Sequence, residues 1–325
     1  MRSACLGLAF VPLLSSPGCS SQQAAQSGDE GGSGGGEEQS SGQPFGVRGG
    51  VLPNLVFAAV GDTRPPSWDD VPGYPTTQIT RIYQDIAALQ PMPSFVIGTG
   101  DYQFSSTGSG STAPQQLAMY AQARAAFSGP FFPAMGNHEC TGGTASNCVA
   151  GSDGTGTANF RSFISILLAP LHQTSPYYEI HVDAADGSWT AKLVIVAANA
   201  WDGTQQAWLA STLAQPTTYT FVVRHEPHDA SPAPPGVAAS EAILAQYPYT
   251  LCIVGHSHTY GHHDGSPKEV LFGNGGAPLA SKDYGFGLFA RRADGAIVVD
   301  AIDWLTGAAD ASFHFVVRPD GTPAK

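Results

Sequence analysis

Carboxylates, one carboxamide and several imidazoles close four short strings of this chain. The strings are Gly61-Asp62-Thr63-Arg64, Gly100-Asp101, Gly136-Asn137-His138-Glu139 and Gly255-His256-Ser257-His258. A further imidazole, His225, ends the run Phe221-Val222-Val223-Arg224. Oxygen and imidazole donors in that mixture suit hard-to-borderline divalent cations, and neutral imidazole is the commonest protein metal ligand. Two such cations side by side suit in-line attack at phosphorus. A carboxylate bridges two cations by giving one oxygen to each, and Asp101, in the middle of the set, is the candidate bridge.

The elements that must position these groups are apolar, β-prone runs just upstream: Leu55–Val60, Phe95–Thr99, Phe131–Met135 and Leu251–Val254. Each string therefore falls at the C-terminal end of an expected strand, where open α/β sheets place their ligands. The glycines ahead of the liganding residues are expected to let the backbone turn sharply there. Strands are expected over 54–60, 94–99, 131–135, 176–182, 190–198, 218–224, 249–254, 269–273, 286–291, 296–303 and 312–318. Helical spacing occurs between many of them, as in 76–90, where Ile79, Ile82, Tyr83, Ile86 and Leu89 share a face. Segments 115–127, 157–168, 204–213 and 238–247 read the same way. The βα alternation gives way to strands without intervening helices after residue 260. The expectation is one α/β domain of two packed mixed sheets with helices outside.

The four strings, in this order, resemble those of the calcineurin-like metallophosphoesterase family: Asp-x-His, Gly-Asp, Gly-Asn-His-Asp/Glu, a His, and Gly-His-x-His. Gln205–Leu209 also resembles a packing helix of that family. The resemblance implies a four-layer α/β/β/α sandwich and two divalent metal ions (Fe, Mn or Zn). It gives the first metal Asp62, Asp101 and His258, and the second Asp101, Asn137, His225 and His256. His138 corresponds to the catalytic His that contacts the phosphate and can protonate the leaving group. The implied activity is phosphoric ester hydrolysis, as phosphatase or phosphodiesterase, by a two-metal-activated hydroxide. Its partner is a small-molecule or surface phosphate ester.

Two departures bear on that carry-over. Arg64 stands where the family has its first His ligand. A guanidinium stays protonated and offers no lone pair, so Arg64 is expected either to face the substrate phosphate as a catalytic residue or to weaken the first metal site. Purple acid phosphatases also lack that His and use a Tyr three residues after the bridging Asp; here that position is Phe104. Tyr102 is expected to point elsewhere, which argues against a tyrosinate-iron centre. The competing readings are a non-catalytic metal-binding surface lipoprotein, favoured only by Arg64, a purple-acid-phosphatase-like enzyme lacking the Tyr ligand, and hydrolysis of another ester on the same site. His228 is a candidate for the site mouth and His262 and His263 for its rim. His172, His181 and His314 carry no motif. Gly273-Asn274-Gly275-Gly276 reads as a turn near the active face.

The chain holds 14 Lys and Arg against 26 Asp and Glu, a net charge of −12, with no basic run. That disfavours nucleic acid, whose backbone is held by clustered Lys and Arg, and anionic membrane surfaces. Residues 1–18 read as a signal peptide: Arg2 precedes an apolar stretch, Ala4–Leu14, too short to span a bilayer. It ends at Ser16-Pro17-Gly18-Cys19, which resembles a bacterial lipobox except at Ser16. The expectation is an exported, membrane-anchored lipoprotein of the cell envelope (periplasm or outer membrane) lipidated on Cys19, or otherwise a secreted protein. Residues 19–50, rich in Gly, Ser and Glu, are expected to form a flexible tether of about 30 Å, and 51–325 the catalytic domain. Cys140 and Cys148, eight apart in a polar loop, form the expected disulfide of an exported protein. Cys252 reads as a small buried hydrophobe.

Overall fold

The computed structural model describes residues 43–148, 156–262, 266, 268–280 and 282–325. The signal segment, the tether as far as residue 42, Cys19 and His263 lie outside the described residues. In chain order the elements are β1 (Gly50–Leu52), β2 (Val56–Val60), α1 (Thr76–Ala88), β3 (Phe95–Gly98), α2 (Ala113–Arg124), β4 (Phe131–Pro133), α3 (Asn137–Thr141), α4 (Ala158–Phe163), β5 (Tyr178–Ala184), β6 (Thr190–Ile195), α5 (Gly203–Ala214), β7 (Tyr219–Val223), α6 (Pro235–Leu244), β8 (Leu251–Val254), β9 (Tyr260–His262), β10 (Glu269–Phe272), β11 (Gly285–Arg291), β12 (Ile297–Asp303) and β13 (Ala309–Val317). No helix among the described residues is long and apolar enough to cross a membrane.

The strands form two mixed sheets, one ordered β1-β5-β6-β7-β8-β10-β9 and the other β13-β12-β11-β2-β3-β4. β2, β3 and β4 run parallel, as do β6, β7, β8 and β10. Period-2 alternation sorts their side chains by face. Phe221 and Val223 of β7 and Leu251 and Ile253 of β8 face the core between the sheets. Val222, Cys252 and Val254 face the other way, into a second cluster with Leu209 and Leu213 of α5 and Ile243 and Leu244 of α6. Between the sheets, Phe57 and Phe289 stack at 4.6 Å and meet Phe221 edge-on at 5.0 and 6.5 Å. On the far side Tyr83 of α1 and Tyr120 of α2 pack on Phe131 of β4. The result is the four-layer α/β/β/α sandwich.

Several elements differ from the sequence-based expectation. The segment 157–168 is helical only to Phe163 and continues as a π turn, Ile164–Leu168, and a 3₁₀ turn, Ala169–Leu171; Pro170 has no N–H to extend a regular ladder. β1 and β9 are three-residue strands with no apolar alternation to announce them. Packing also begins before residue 51, because Phe45 stacks on Phe95 at 5.2 Å and touches Phe132 edge-on. Cys140 and Cys148 are disulfide-bonded, and Cys252 is a buried free thiol.

Candidate metal centre

The parallel registers align the strand ends. Val60 is opposite Gly98, Ile195 opposite Val223, and Val223 opposite Ile253. The loops leaving those ends are tied together by Asp62 N–H to Gly100 O, Thr63 N–H to Asp101 O and Gly255 N–H to His225 O. The His256 N–H donates to Asp62 Oδ2 at 2.8 Å and links the two sheets.

Asp62, Asp101, His256 and His258 all take positive φ, between 49° and 73°. Non-glycine residues enter that region rarely and at a cost of order 1–3 kcal/mol, and such strain concentrates at functional sites. The left-handed turns are thus made by the donor residues themselves. Of the four glycines that precede them, only Gly100 takes positive φ (109°). The others give room: a Cβ on Gly136 would sit 2.2 Å from Asp101 Oδ1, and one on Gly61 1.6 Å from Thr99 Oγ1.

Two groups of donors converge, and Asp101 belongs to both. One is Asp101, His225 and His256; the other is Asp62, Asp101 and His258. In the first of these, His225 is fully buried and its Nδ1 lies 2.8 Å from Thr99 O. A carbonyl only accepts, so Nδ1 carries the proton and the Nε2 lone pair points inward. Around that Nε2 stand Asn137 Oδ1 at 3.2 Å, His256 Nδ1 at 3.2 Å and Asp101 Oδ1 at 3.3 Å. Four nitrogen and oxygen donors of this kind at one point suit a shared positive charge. Burial opposes charge on His225, but Asp101 and Asp62 outweigh it and push its pKa well above the ordinary range. A proton or a divalent cation satisfies the cluster, and only a cation contacts all four donors. This group fits a metal.

The other group does not fit one equally well. Asp62 is fully buried, and its Oδ1 lacks a hydrogen-bond partner and lies 3.5 Å from His258 Nε2. Burial drives the Asp62 carboxyl well above the usual range. These features invite a cation, but Arg64 supplies one. Its Nη2 is 3.4 Å from His258 Nε2 and its Nε 4.0 Å from Asp101 Oδ2. Nη1 donates to Pro65 O at 3.1 Å, and the guanidinium lies 4.5 Å over the Phe104 ring. A dication held about 4 Å from a guanidinium is repelled by roughly 8 kcal/mol at an effective dielectric of 20. Of the two roles expected for Arg64, the weakening of the first metal site is the one its position bears on: the guanidinium lies on the group that includes Asp62 and His258.

His138 lies beside both groups. Its backbone N–H donates to Asp101 Oδ1 at 3.1 Å, its Nε2 is 3.7 Å from Asp101 Oδ2, and its ring meets Phe104 edge-on at 4.4 Å. The buried Nδ1 has no partner. Burial pushes its pKa down to about 4, against the pull of Asp101. At neutral pH the ring is neutral and keeps one N–H to donate, which suits a hydrogen bond to a phosphoryl or leaving oxygen.

Two supporting residues are not among the expected site residues, although Glu139 closes the third string and Arg224 precedes His225. Glu139 is fully buried and accepts from the N–H groups of Asp101, Tyr102, Gln103 and Gly136 at 2.7–3.2 Å. Burial and Asp101 raise its pKa to about 7, and those four donors favour its ionised form. It fixes the backbone that presents Asp101. Arg224 is fully buried and donates to Glu226 O, Ser240, Glu241 and Glu269, fixing the end of β7 that presents His225.

The remaining histidines sort by contact. His228 is turned to Glu269, with Nδ1 at 2.9 Å from its carboxylate. His262 is exposed at a strand edge against Phe315. His181 and His314 pair with Glu179 and Asp300, and His172 ends a 3₁₀ turn. The Tyr102 hydroxyl is buried and accepts from the Gly100 N–H, away from the donor groups. The turn 273–276 wraps Asp62: a Cβ on Gly273 would sit 2.6 Å from Asp62 Oδ2, and Ala277 N–H donates to Asp62 O.

The chain belongs to the calcineurin-like phosphoesterase family, whose model matches residues 55–260. No curated protein matches it in sequence. Solved structures share its fold. A purple acid phosphatase from yellow lupin, PPD1, is similar with a TM-score of 0.59 at 16% identity, over 85% of this chain and 55% of that one. GAP50 of Plasmodium, described as the anchor in the inner membrane complex, aligns with a TM-score of 0.56 at 15% identity, over 83% and 90%. A dimetal phosphatase from Danio rerio aligns with a TM-score of 0.54 at 13% identity, over 82% and 100%.

Proposed function

We propose that this protein is a metal-dependent phosphoric ester hydrolase. The observation that carries the reading is the convergence of Asp101, Asn137, His225 and His256 on one point, with His138 alongside. A divalent cation held there would acidify a water and draw charge from the phosphoryl oxygens. The chain's own groups do the rest. Burial opposes charge on Asp101, but His225, His138 and Arg64 outweigh it and keep the carboxylate ionised, so that it would balance the cation's charge. The His138 N–H donates to the ester's phosphoryl or leaving oxygen. Arg64, which like His138 packs on Phe104 and approaches Asp101 Oδ2, adds a fixed positive charge. Nitrogen and oxygen donors suit Zn, Mn or Fe. With Phe104 where a phenolate would stand and the Tyr102 hydroxyl turned inward, a tyrosinate-iron centre is disfavoured.

The test is hydrolysis of aryl phosphate mono- and diesters after reconstitution with Mn(II), Zn(II) or Fe(II), with metal content measured on the same samples. Metal-dependent release of the aryl alcohol supports the reading; a metal-loaded protein inert on both classes favours a non-catalytic role. The placement of Arg64 on one donor group is the observation that keeps the second role in view, and one protein of the same fold is described as an anchor.

The N-terminal reading is proposed alongside: export by residues 1–18, lipidation of Cys19, and a tether presenting the catalytic domain at the cell envelope to small or surface phosphate esters. Cys19→Ser should move the protein from the membrane to the soluble fraction, and unchanged fractionation would favour plain secretion.

A further inference from the structure

We propose that this chain holds one divalent cation rather than two, in the group Asp101, Asn137, His225 and His256, with the Arg64 guanidinium standing in place of the other. The inference rests on the metal-dependent reading above and deepens it.

A single lone pair separates one cation from two. His258 Nδ1 lies 2.7 Å from Pro278 O, and a carbonyl can only accept, so the ring proton is on Nδ1. Nε2 keeps one lone pair, and Arg64 Nη2, which can only donate, faces it at 3.4 Å. A cation and that N–H would need the same lone pair. Nor is the guanidinium a loose end. It is held by Pro65 O and by the face of Phe104, its Nε approaches Asp101 Oδ2, and the side chain is only 15% exposed. Phe104 fits this role: at the position where a purple acid phosphatase has a tyrosine, an uncharged ring supports an arginine.

Charge points the same way. Asp62 and Asp101 are the two carboxylates of the groups. Two dications plus the guanidinium would set five positive charges against them, whereas one dication plus the guanidinium sets three. The guanidinium also offers N–H donors in a planar fork, the geometry that matches phosphate oxygens.

The experiment counts metal. Wild-type protein, saturated with Mn(II) and freed of excess by gel filtration, should carry one Mn per chain by elemental analysis and give the electron paramagnetic resonance spectrum of an isolated ion. Arg64→His, and independently Arg64→Ala, should raise the content to two per chain and give the signature of a spin-coupled pair. His258→Ala should leave the wild-type stoichiometry at one, and His256→Ala should reduce it. Two Mn per wild-type chain, or one in both Arg64 variants when they melt as cooperatively as wild type, would overturn the proposal. If wild-type protein binds none while remaining folded, the metal-dependent reading itself fails, which is a different result from the wrong count.

Discussion

The two donor groups share Asp101 yet differ in what their other lone pairs meet. Around His225 they face each other: its Nε2 is encircled by Asn137, His256 and Asp101, and its proton is tied to Thr99 O. Around His258 the lone pair meets an N–H of Arg64, while Asp62 Oδ1 and Arg64 Nε are left without a hydrogen-bond partner. Each group has carboxylate and imidazole at strand ends, so residue type alone does not tell them apart. What separates them is the destination of one long side chain from a neighbouring loop. A metal site is defined as much by what else can reach its lone pairs as by the donors it contains.

The largest expected effect tests the shared residue. Asp101→Ala removes an oxygen from both groups and should abolish hydrolysis and most bound metal. Asp62→Ala removes a donor from the group that Arg64 shares and also the acceptor of the His256 N–H, but leaves all four donors of the His225 group in place, so it should keep most of the metal while lowering turnover. Equal metal loss in the two variants would erase the distinction between the groups, and near-wild-type turnover in Asp101→Ala would remove the metal mechanism altogether.

Next is His138, which lies against both groups but donates to neither through its ring. His138→Ala should slow turnover by roughly 10²–10⁴-fold with metal content unchanged. Metal loss in proportion to rate would make it a ligand and redraw the comparison.

Glu139→Gln should follow. The carboxylate accepts four backbone N–H groups, and a carboxamide offers one acceptor oxygen and an NH₂ that confronts the others. Charge-assisted bonds of this kind are worth about 1.5–3 kcal/mol each, so the midpoint of thermal unfolding should fall clearly. Because Glu139 holds Asp101 and its own helix start beside Asn137, metal affinity should weaken as well. A variant of unchanged affinity would show that Asp101 keeps its place without this support.

Much of this architecture was legible in the sequence because burial writes a period. The apolar runs of β2, β3, β7 and β8 are buried along their whole length, and the donors follow within two to four residues of their ends. Short elements escaped, since three residues of β1 or β9 carry no period, and α3 has five residues that read as a liganding loop. Arg64 escaped for a different reason. Its residue type excludes ligation, but four side-chain torsions separate its backbone from its guanidinium, and only the position of Phe104 and His258 in space decides where that charge rests. The left-handed backbone of Asp62, Asp101, His256 and His258 was also invisible, because the neighbouring glycines drew the explanation to themselves.

The disulfide stands on the side of the His225 group, since Cys140 lies in the helix that begins with Asn137. Closing a loop of eight residues' separation contributes roughly 2–3 kcal/mol by chain entropy. Cys140→Ser/Cys148→Ser should lower thermal stability by that amount and should weaken metal binding less than Glu139→Gln does. Free thiols in protein recovered from the producing cell would remove this support from the comparison.

The smallest effect is expected at Asp69, on the opposite side. Its backbone N–H donates to Phe104 O, so it steadies the ring beneath Arg64, and its exposed carboxylate accepts from Thr112 Oγ1 at 2.7 Å and Ser105 Oγ at 2.8 Å. Slight burial raises its pKa, but those hydrogen bonds and the Ser106 N–H outweigh it and lower it to about 2 from an ordinary 3.8. A depressed carboxylate stabilises the fold above its unfolded pKa, and that contribution is lost as pH falls through the folded value. Asp69→Asn keeps a residue tolerant of the positive φ found here while removing the charge. It should cost under about 1 kcal/mol at neutral pH, since solvent screens an exposed group. The difference from wild type should shrink between pH of about 4 and 2. Urea melts of the two proteins across that range read it directly. A difference that persists unchanged at pH 2 would show that the loss is one of shape rather than charge, and that the loop under Arg64 is held by its backbone alone.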